Sequence, residues 1–300
     1  MNSVRRVLVG FLLAFVAGFS WGSMGVAAQV MMDQGFSPQD LVVLRVFGAG
    51  VVLTIMVLLA ERDKARALFS DHILLRDVMI YGLCVLAAQF TYFLAIRDAG
   101  AATAAIMVIS VPLFVIGWIA FSTKKPVSPL ELTAFIMTAA GVVLIITKGD
   151  FSTIHLSYAG VLWGLASAAC GAVGTLQPKN AVRKIGVSAV AGFGMLMAGT
   201  AGLFFFPPTE IEAVWTWQAV SGYLYIILIG TALALVCYLK SLSYLPPAVA
   251  SILSAFEPLT AVVLSIVLLG ASFTTAEIIG AALIFATVFL LAMREGEKKA

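Results

Sequence analysis

The sequence predicts an all-α integral membrane protein: ten transmembrane helices arranged as two inverted five-helix repeats, residues 1–149 and 150–300. Three observations predict it. Apolar runs of spanning length recur along the chain, basic residues alternate between the loops, and the second half repeats the first at a fixed offset.

The apolar runs come first. The chain is 62% hydrophobic and only 11% charged, with a mean hydropathy of +1.07, whereas a soluble domain carries about 25% charged residues. Ten runs can be read: 7–28, 40–60, 75–96, 99–122, 130–147, 158–177, 188–206, 216–239, 245–269 and 275–293. Each is close to the roughly 20 residues that cross a bilayer. The third and fourth divide poorly, because Arg97-Asp98-Ala99-Gly100 leaves almost no loop between them. No run alternates with the period of a barrel strand, so helices are the expected way to satisfy the backbone in lipid. Arg5-Arg6, the first run and Val26-Ala27-Ala28 also resemble a signal peptide. Nine further spans favour a retained first helix instead.

The loops orient the runs. Of 18 Lys and Arg, 15 fall on one side, from Arg5 and Arg6 through Arg62, Lys124, Lys179 and Lys240 to Lys299. Arg97 and Lys148 lie opposite, and Arg45 lies inside the second run. The positive-inside rule then puts both termini in the cytoplasm. That requires an even number of spans, which ten satisfies.

The repeat is read by laying Tyr92–Ile146 over Tyr238–Ala292 without a gap, an offset of 146. Tyr92 meets Tyr238, Pro112 meets Pro258, and Glu131 meets Glu277. Earlier in the chain, Gly22 and Gly25 lie over Gly171 and Gly174 at an offset of 149. Five spans per repeat is an odd number, so the second copy enters the membrane from the opposite side. Inverted repeats of this kind place a substrate site at their interface near the midplane.

The copies differ at two informative places, and at one of them Lys240 is matched by Leu94. Glu257 sits inside the ninth run, while its mate is Val111. A carboxylate at that depth costs about 2.5–3.5 kcal/mol on insertion scales and survives only facing protein or a wet cavity. Pro258, next to it, cannot donate a backbone hydrogen bond and strains the helix there. Glu257 could hold a substrate ammonium or a coupling proton. It could instead accept hydrogen bonds from neighbours such as Ser254, one turn back, and lock a kink.

Enzyme chemistry finds no support in the sequence. Cys84, Cys170 and Cys237 fall inside runs with no metal or disulfide spacing, and His72 and His155 fall in loops. There is no phosphate-binding glycine loop and no clustered nucleophile and base. The reading expects no cofactor, no metal and no nucleic-acid partner; a net charge of +3 follows from basic cytoplasmic loops. The partners expected are a small-molecule substrate and the lipid bilayer, with no oligomer required.

Trp21-Gly22, Arg45, Pro112, Glu257-Pro258 and Gly280-Ala281-Ala282-Leu283-Ile284, at these places in ten spans, resemble the drug/metabolite transporter superfamily in its ten-helix EamA-type branch. Within it the chain is most similar to the aromatic and neutral amino-acid exporters of the YddG type. The resemblance implies a bacterial inner-membrane secondary transporter that exports amino acids or related small metabolites by alternating access. It implies a central cavity lined by spans 1, 3, 4, 6, 8 and 9, with spans 5 and 10 at the periphery. The alternative is a multidrug or organic-cation exporter with Glu257 as its cation or proton site. The chain departs from the family pattern at Leu268-Leu269-Gly270-Ala271, where an acid commonly follows the glycine, and at the matching Lys125.

The expected substrate-binding residues are Glu257, Gln89, Tyr92, Trp163, Trp21, Tyr238, Ser254 and Lys240. Gln89 and Tyr92 share a helical stripe with Tyr81 and Val85. Aromatic rings with a few amides and hydroxyls suit an amphipathic solute, although tyrosines and tryptophans near span ends also form interfacial belts. The position of Lys240 at a cytoplasmic end favours a snorkelling interfacial lysine over a substrate contact. Arg45 could clasp Asp40 or Asp98, or attract carboxylates at the mouth. Gly22, Gly25, Gly171, Gly174, Pro112 and Pro258 are the expected hinge or packing positions.

Overall fold

The computed structural model describes residues 3–124, 128–150, 158–208, 211–245 and 256–297. Among these, all regular structure is helical. The helices are α1 (Ser3–Asp33), α2 (Pro38–Ala60), α3 (Arg62–Ser70), α4 (His72–Val108), α5 (Val111–Thr123), α6 (Pro129–Thr147), α7 (Tyr158–Leu176), α8 (Lys179–Phe205), α9 (Trp217–Ser241), α10 (Phe256–Leu269) and α11 (Thr275–Glu297). Six of them, α1, α2, α4, α7, α8 and α9, are long and apolar enough to cross a membrane. Shorter apolar stretches occupy α5, α6, α10 and α11.

Local chemistry sets the helix starts. Ser37 caps α2: its Oγ accepts from the Asp40 amide at 3.2 Å, and Asp40 Oδ2 accepts from the Ser37 amide at 3.2 Å. Two further reciprocal boxes stand 146 residues apart. Ser128 and Glu131 close one at the start of α6; Thr274 and Glu277 close the other at the start of α11. Each satisfies two amides that the helix start leaves open. Asp71 caps α4 by accepting from the Ile73 and Leu74 amides and also receives Lys184 Nζ from α8 at 2.8 Å. That ammonium holds the Asp71 carboxyl below the usual carboxylate range.

The poorly divided third and fourth runs form one continuous helix, α4, with a break inside it. Gly100 adopts φ +82°, a left-handed conformation that glycine alone takes without strain. The amide freed just after the break, Ala101 N, donates to Gln29 Oε1 of α1 at 2.8 Å. Gly186 breaks α8 in the same way at φ +80°. In α9 the central residues Tyr225–Leu233 are wound as a π-helix.

Pairs of packed helices organise the bundle. α2 packs on α8, α4 on α7, and α6 on α11, while α1 packs on α9 and α10 and α5 on α7. Small residues bring these backbones together, as expected where lipid removes most of the hydrophobic drive between helices. A methyl group added to Gly141 would lie 2.6 Å from the Gly280 carbonyl oxygen, and one on Gly280 would lie 2.6 Å from that of Gly141. Thr138 Oγ1 donates to Thr287 Oγ1 across the same pair at 3.3 Å. The central core gathers Met24, Met31, Val46, Phe93, Ile96 and Ile226, all fully buried.

α3 lies outside the ten apolar runs. It is a short helix between α2 and α4 that buries Ala65 and Leu68 against Val57, Val78 and Ile185.

Candidate functional site

A cavity of about 430 Å³ opens among α1, α2, α4, α5, α7 and α10. Trp21 and Met24 come from α1, Arg45 from α2, and Ala88, Gln89 and Tyr92 from α4. The facing wall carries Val111 at the start of α5, Ser167, Gly171 and Thr175 of α7, and Glu257 of α10. Glu257 and Val111, which align in the sequence at the 146-residue offset, therefore line the same space.

α1 approaches α10 closely at this point. A methyl on Gly22 would fall on the Glu257 carbonyl oxygen and 2.7 Å from Thr260 Cβ. The mate of Gly22, Gly171, faces the mate of Glu257, Val111, with more room: the same methyl would lie 3.4 Å from Val111 Cγ2.

Arg45 is the main surprise of the site. It is 5% exposed. Its Nε donates to Thr231 Oγ1 at 3.0 Å, and its Nη1 donates to Gln89 Oε1. Its guanidinium lies 5.7 Å from the centre of the Phe93 ring. The π-wound stretch of α9 positions Thr231, whose hydroxyl also reaches the Ile226 carbonyl at 2.8 Å, five residues back. The expected clasp to Asp40 or Asp98 does not form. Asp40 is occupied in capping α2, and Asp98 receives Arg97 Nε at 2.6 Å. Arg45 points inward because its own helix carries it into the cavity wall, which adds the second span to the set that the resemblance implied.

The remaining expected residues separate into two groups. Glu257, Gln89, Tyr92 and Trp21 line the cavity. Tyr92 is 5% exposed, and its hydroxyl is buried without a hydrogen-bond partner among the described residues. Tyr238 stands behind Trp21, ring centres 5.4 Å apart. Trp163 packs, half-buried, against the central core rather than the cavity. Lys240 is exposed near the end of α9. Ser254 lies outside the described residues. Pro112 occupies the first turn of α5, and Pro258 is buried beside Glu257. A methyl on Gly25 would lie 3.0 Å from the Tyr92 hydroxyl, and one on Gly174 would make only an ordinary contact with Cys84 Cβ at 3.7 Å.

Sequence reasoning missed Met24 and Thr175 as lining residues, and the depth of Arg45. An arginine inside an apolar run was the available signal for the last. Among the described residues, no group of three or more His, Cys, Asp or Glu side chains is placed to hold a metal ion.

An all-helical bundle with a cavity lined by charged and aromatic side chains among its apolar helices defines a membrane-embedded, multi-pass carrier of small molecules. The profile of the EamA-like transporter family matches residues 8–147 and again 158–293, and the chain belongs to that family. It is a transporter rather than an enzyme. The chain is 31% identical over 295 residues to a Salmonella typhimurium protein named "Uncharacterized inner membrane transporter YicL", covering 98% of this chain and 97% of that one. It is 23% identical over 290 residues to a Bacillus subtilis protein named "Uncharacterized transporter YwfM", covering 96% and 95%. A crystal structure superposes with a TM-score of 0.61 over 97% of this chain and 99% of its own, at 19% identity, and shares the fold.

Proposed function

We propose that this protein is a secondary transporter that exports neutral amino acids, aromatic ones among them, or related small metabolites across the inner membrane by alternating access. The observation that carries the reading is the cavity itself. About 430 Å³ lies within the size range of small-molecule sites. Its wall combines Trp21, Met24 and Val111 with a few polar groups gathered around Glu257. Such a wall matches a solute with an apolar side chain and a charged head.

The reading includes ten spans in two inverted five-helix repeats, residues 1–149 and 150–300, with both termini cytoplasmic. The capping boxes of α6 and α11 support it, being 146 residues apart. So do Lys124 and Gly270, also 146 apart, which end α5 and follow α10 in left-handed conformations. Swapping the halves also maps two of the contacts onto others: α1 on α9 onto α7 on α4, and α1 on α10 onto α7 on α5. The basic loops support the orientation.

Glu257 also favours a second reading, export of organic cations. Arg45 in the same wall opposes it, because a cation would meet a buried positive charge.

Uptake into proteoliposomes holding only this protein tests the proposal. A panel of labelled neutral amino acids and organic cations would be run with and without a pH gradient. Saturable movement of neutral amino acids is expected; movement of cations alone would replace this reading with the second.

A further inference from the structure

The charges in the cavity do not match its hydrogen bonds. A guanidinium carries five donors, and the two bonds described for Arg45 go to neutral acceptors, Thr231 and Gln89. These acceptors and the Phe93 ring fix the plane of the guanidinium without neutralising it. The single carboxylate among the lining residues is Glu257, on the helix opposite and within electrostatic reach of Arg45. Tyr92 lines the cavity with both, and its buried hydroxyl has no partner among the described residues.

We infer that Arg45 is the carboxylate-binding group of this cavity, and that Arg45 and Glu257 together select zwitterions over cations or anions of the same shape. The inference rests on the proposed amino-acid transport and names the head-group chemistry of that site. Its logic is charge balance. With Arg45 positive and Glu257 negative, the empty cavity is neutral. A zwitterion leaves it neutral, its carboxylate on the Arg45 fork and its ammonium on Glu257. A cation or an anion adds one uncompensated charge inside the membrane, where ions are least tolerated. The two head groups of an α-amino acid sit on one carbon, so both must be read at one end of the cavity. The side chain is then left to Trp21, Met24, Val108 and Val111.

Three isosteres test this: phenylalanine, phenethylamine, which lacks the carboxylate, and 3-phenylpropionate, which lacks the ammonium. Each is measured as a competitor of labelled phenylalanine exchange in proteoliposomes, and by the thermal shift it gives the purified protein. The wild type is expected to prefer phenylalanine over either analogue by about a hundredfold or more. In the variants, where phenylalanine exchange itself should fall, the preference is read from the thermal shift: in Arg45→Gln it should pass to phenethylamine, and in Glu257→Gln to 3-phenylpropionate, because each variant removes one charge and leaves the other to be matched. Arg45→Lys, which keeps the charge without the fork, should retain the wild-type order at weaker affinity. The wild-type comparison needs no variant, so it decides even where Arg45→Gln fails to fold. Phenylalanine exchange competed equally well by either analogue would overturn the inference and leave the transport reading standing. No exchange of phenylalanine or of any other neutral amino acid would overturn both.

Discussion

Gly22 and Gly171 align in the sequence at an offset of 149, yet alanine at each should behave differently. At Gly22 the new methyl would fall on the Glu257 carbonyl oxygen, 2.7 Å from Thr260 Cβ and 3.0 Å from Ala261 N. Two of these are backbone atoms of α10, which cannot rotate away. Reaching an ordinary contact of 3.4 Å from Thr260 Cβ alone requires α1 and α10 to part by about 0.7 Å. Overpacking of this kind costs about 1–3 kcal/mol. At roughly 2–4 °C per kcal/mol, the thermal midpoint should fall by several degrees. At Gly171 the methyl would meet only Val111 Cγ2, at 3.4 Å. The change should stay within about 0.5 kcal/mol. The better helix propensity of alanine, up to about 1 kcal/mol, acts at both positions and cancels in the comparison. Purified Gly22→Ala and Gly171→Ala would be compared by thermal unfolding in one detergent and by transport in proteoliposomes. Gly22→Ala should also lose transport, because the displaced backbone carries Glu257. Equal midpoints, or a larger fall for Gly171→Ala, would refute the claim that the α1–α10 corner is the tight one.

Four other outcomes are expected. Glu257→Gln should bring amino-acid transport to background with yield and thermal midpoint near wild type; surviving transport, with only Glu257→Leu damaging, would make the residue a kink-locking acceptor instead. Tyr92→Phe should hold or raise stability, since an unsatisfied buried hydroxyl costs about 1–3 kcal/mol; lower stability would reveal a structural partner for the hydroxyl. A reporter fused after Ala300 should read cytoplasm and reporters within 150–157 or 208–214 should read outside, an external C-terminus being fatal to the ten-span count. Because the folded-state pKa of Asp71 is depressed by Lys184, its contribution is present above the ordinary aspartate value of about 3.9 and lost as pH falls through the lower folded one. Asp71→Asn should therefore flatten the acid side of the curve of thermal midpoint against pH.

What the sequence disclosed depended on whether the signal was one of length and charge or one of geometry. Apolar runs marked the long helices, because spanning lipid demands both length and low charge. α3 went unread, since nine residues with two buried side chains make no run. The break inside α4 was visible only as a missing loop, and the left-handed Gly100 explains how the chain turns without one. The π-wound stretch had no signal at all: Tyr225-Ile226-Ile227-Leu228-Ile229 is apolar at every position, so no periodicity distinguishes one winding from another. At the site, Glu257, Gln89, Tyr92 and Trp21 were legible as polar or aromatic residues in apolar surroundings. Trp163 was not, because a helix stripe does not say which neighbour covers it. Arg45 drew attention by its position, but its partners Gln89 and Thr231 come from other helices and no local pattern names them.

The corners at Gly22–Glu257 and Gly171–Val111 bear on the energetics of the whole cycle. In a carrier with two identical halves, the form open to one side is the other form turned over. The two must then have equal energy, and neither would be a resting state. Any preference must come from positions where the halves differ. Here the first corner is tight and armed with an acid, while the second is roomier and closed by a valine. Under the inverted-repeat reading, exchanging Glu257 and Val111 should move the resting preference toward the opposite face of the membrane without altering the scaffold. The degeneracy left by duplication would then be broken by a handful of side chains, and the bias could be edited independently of the fold.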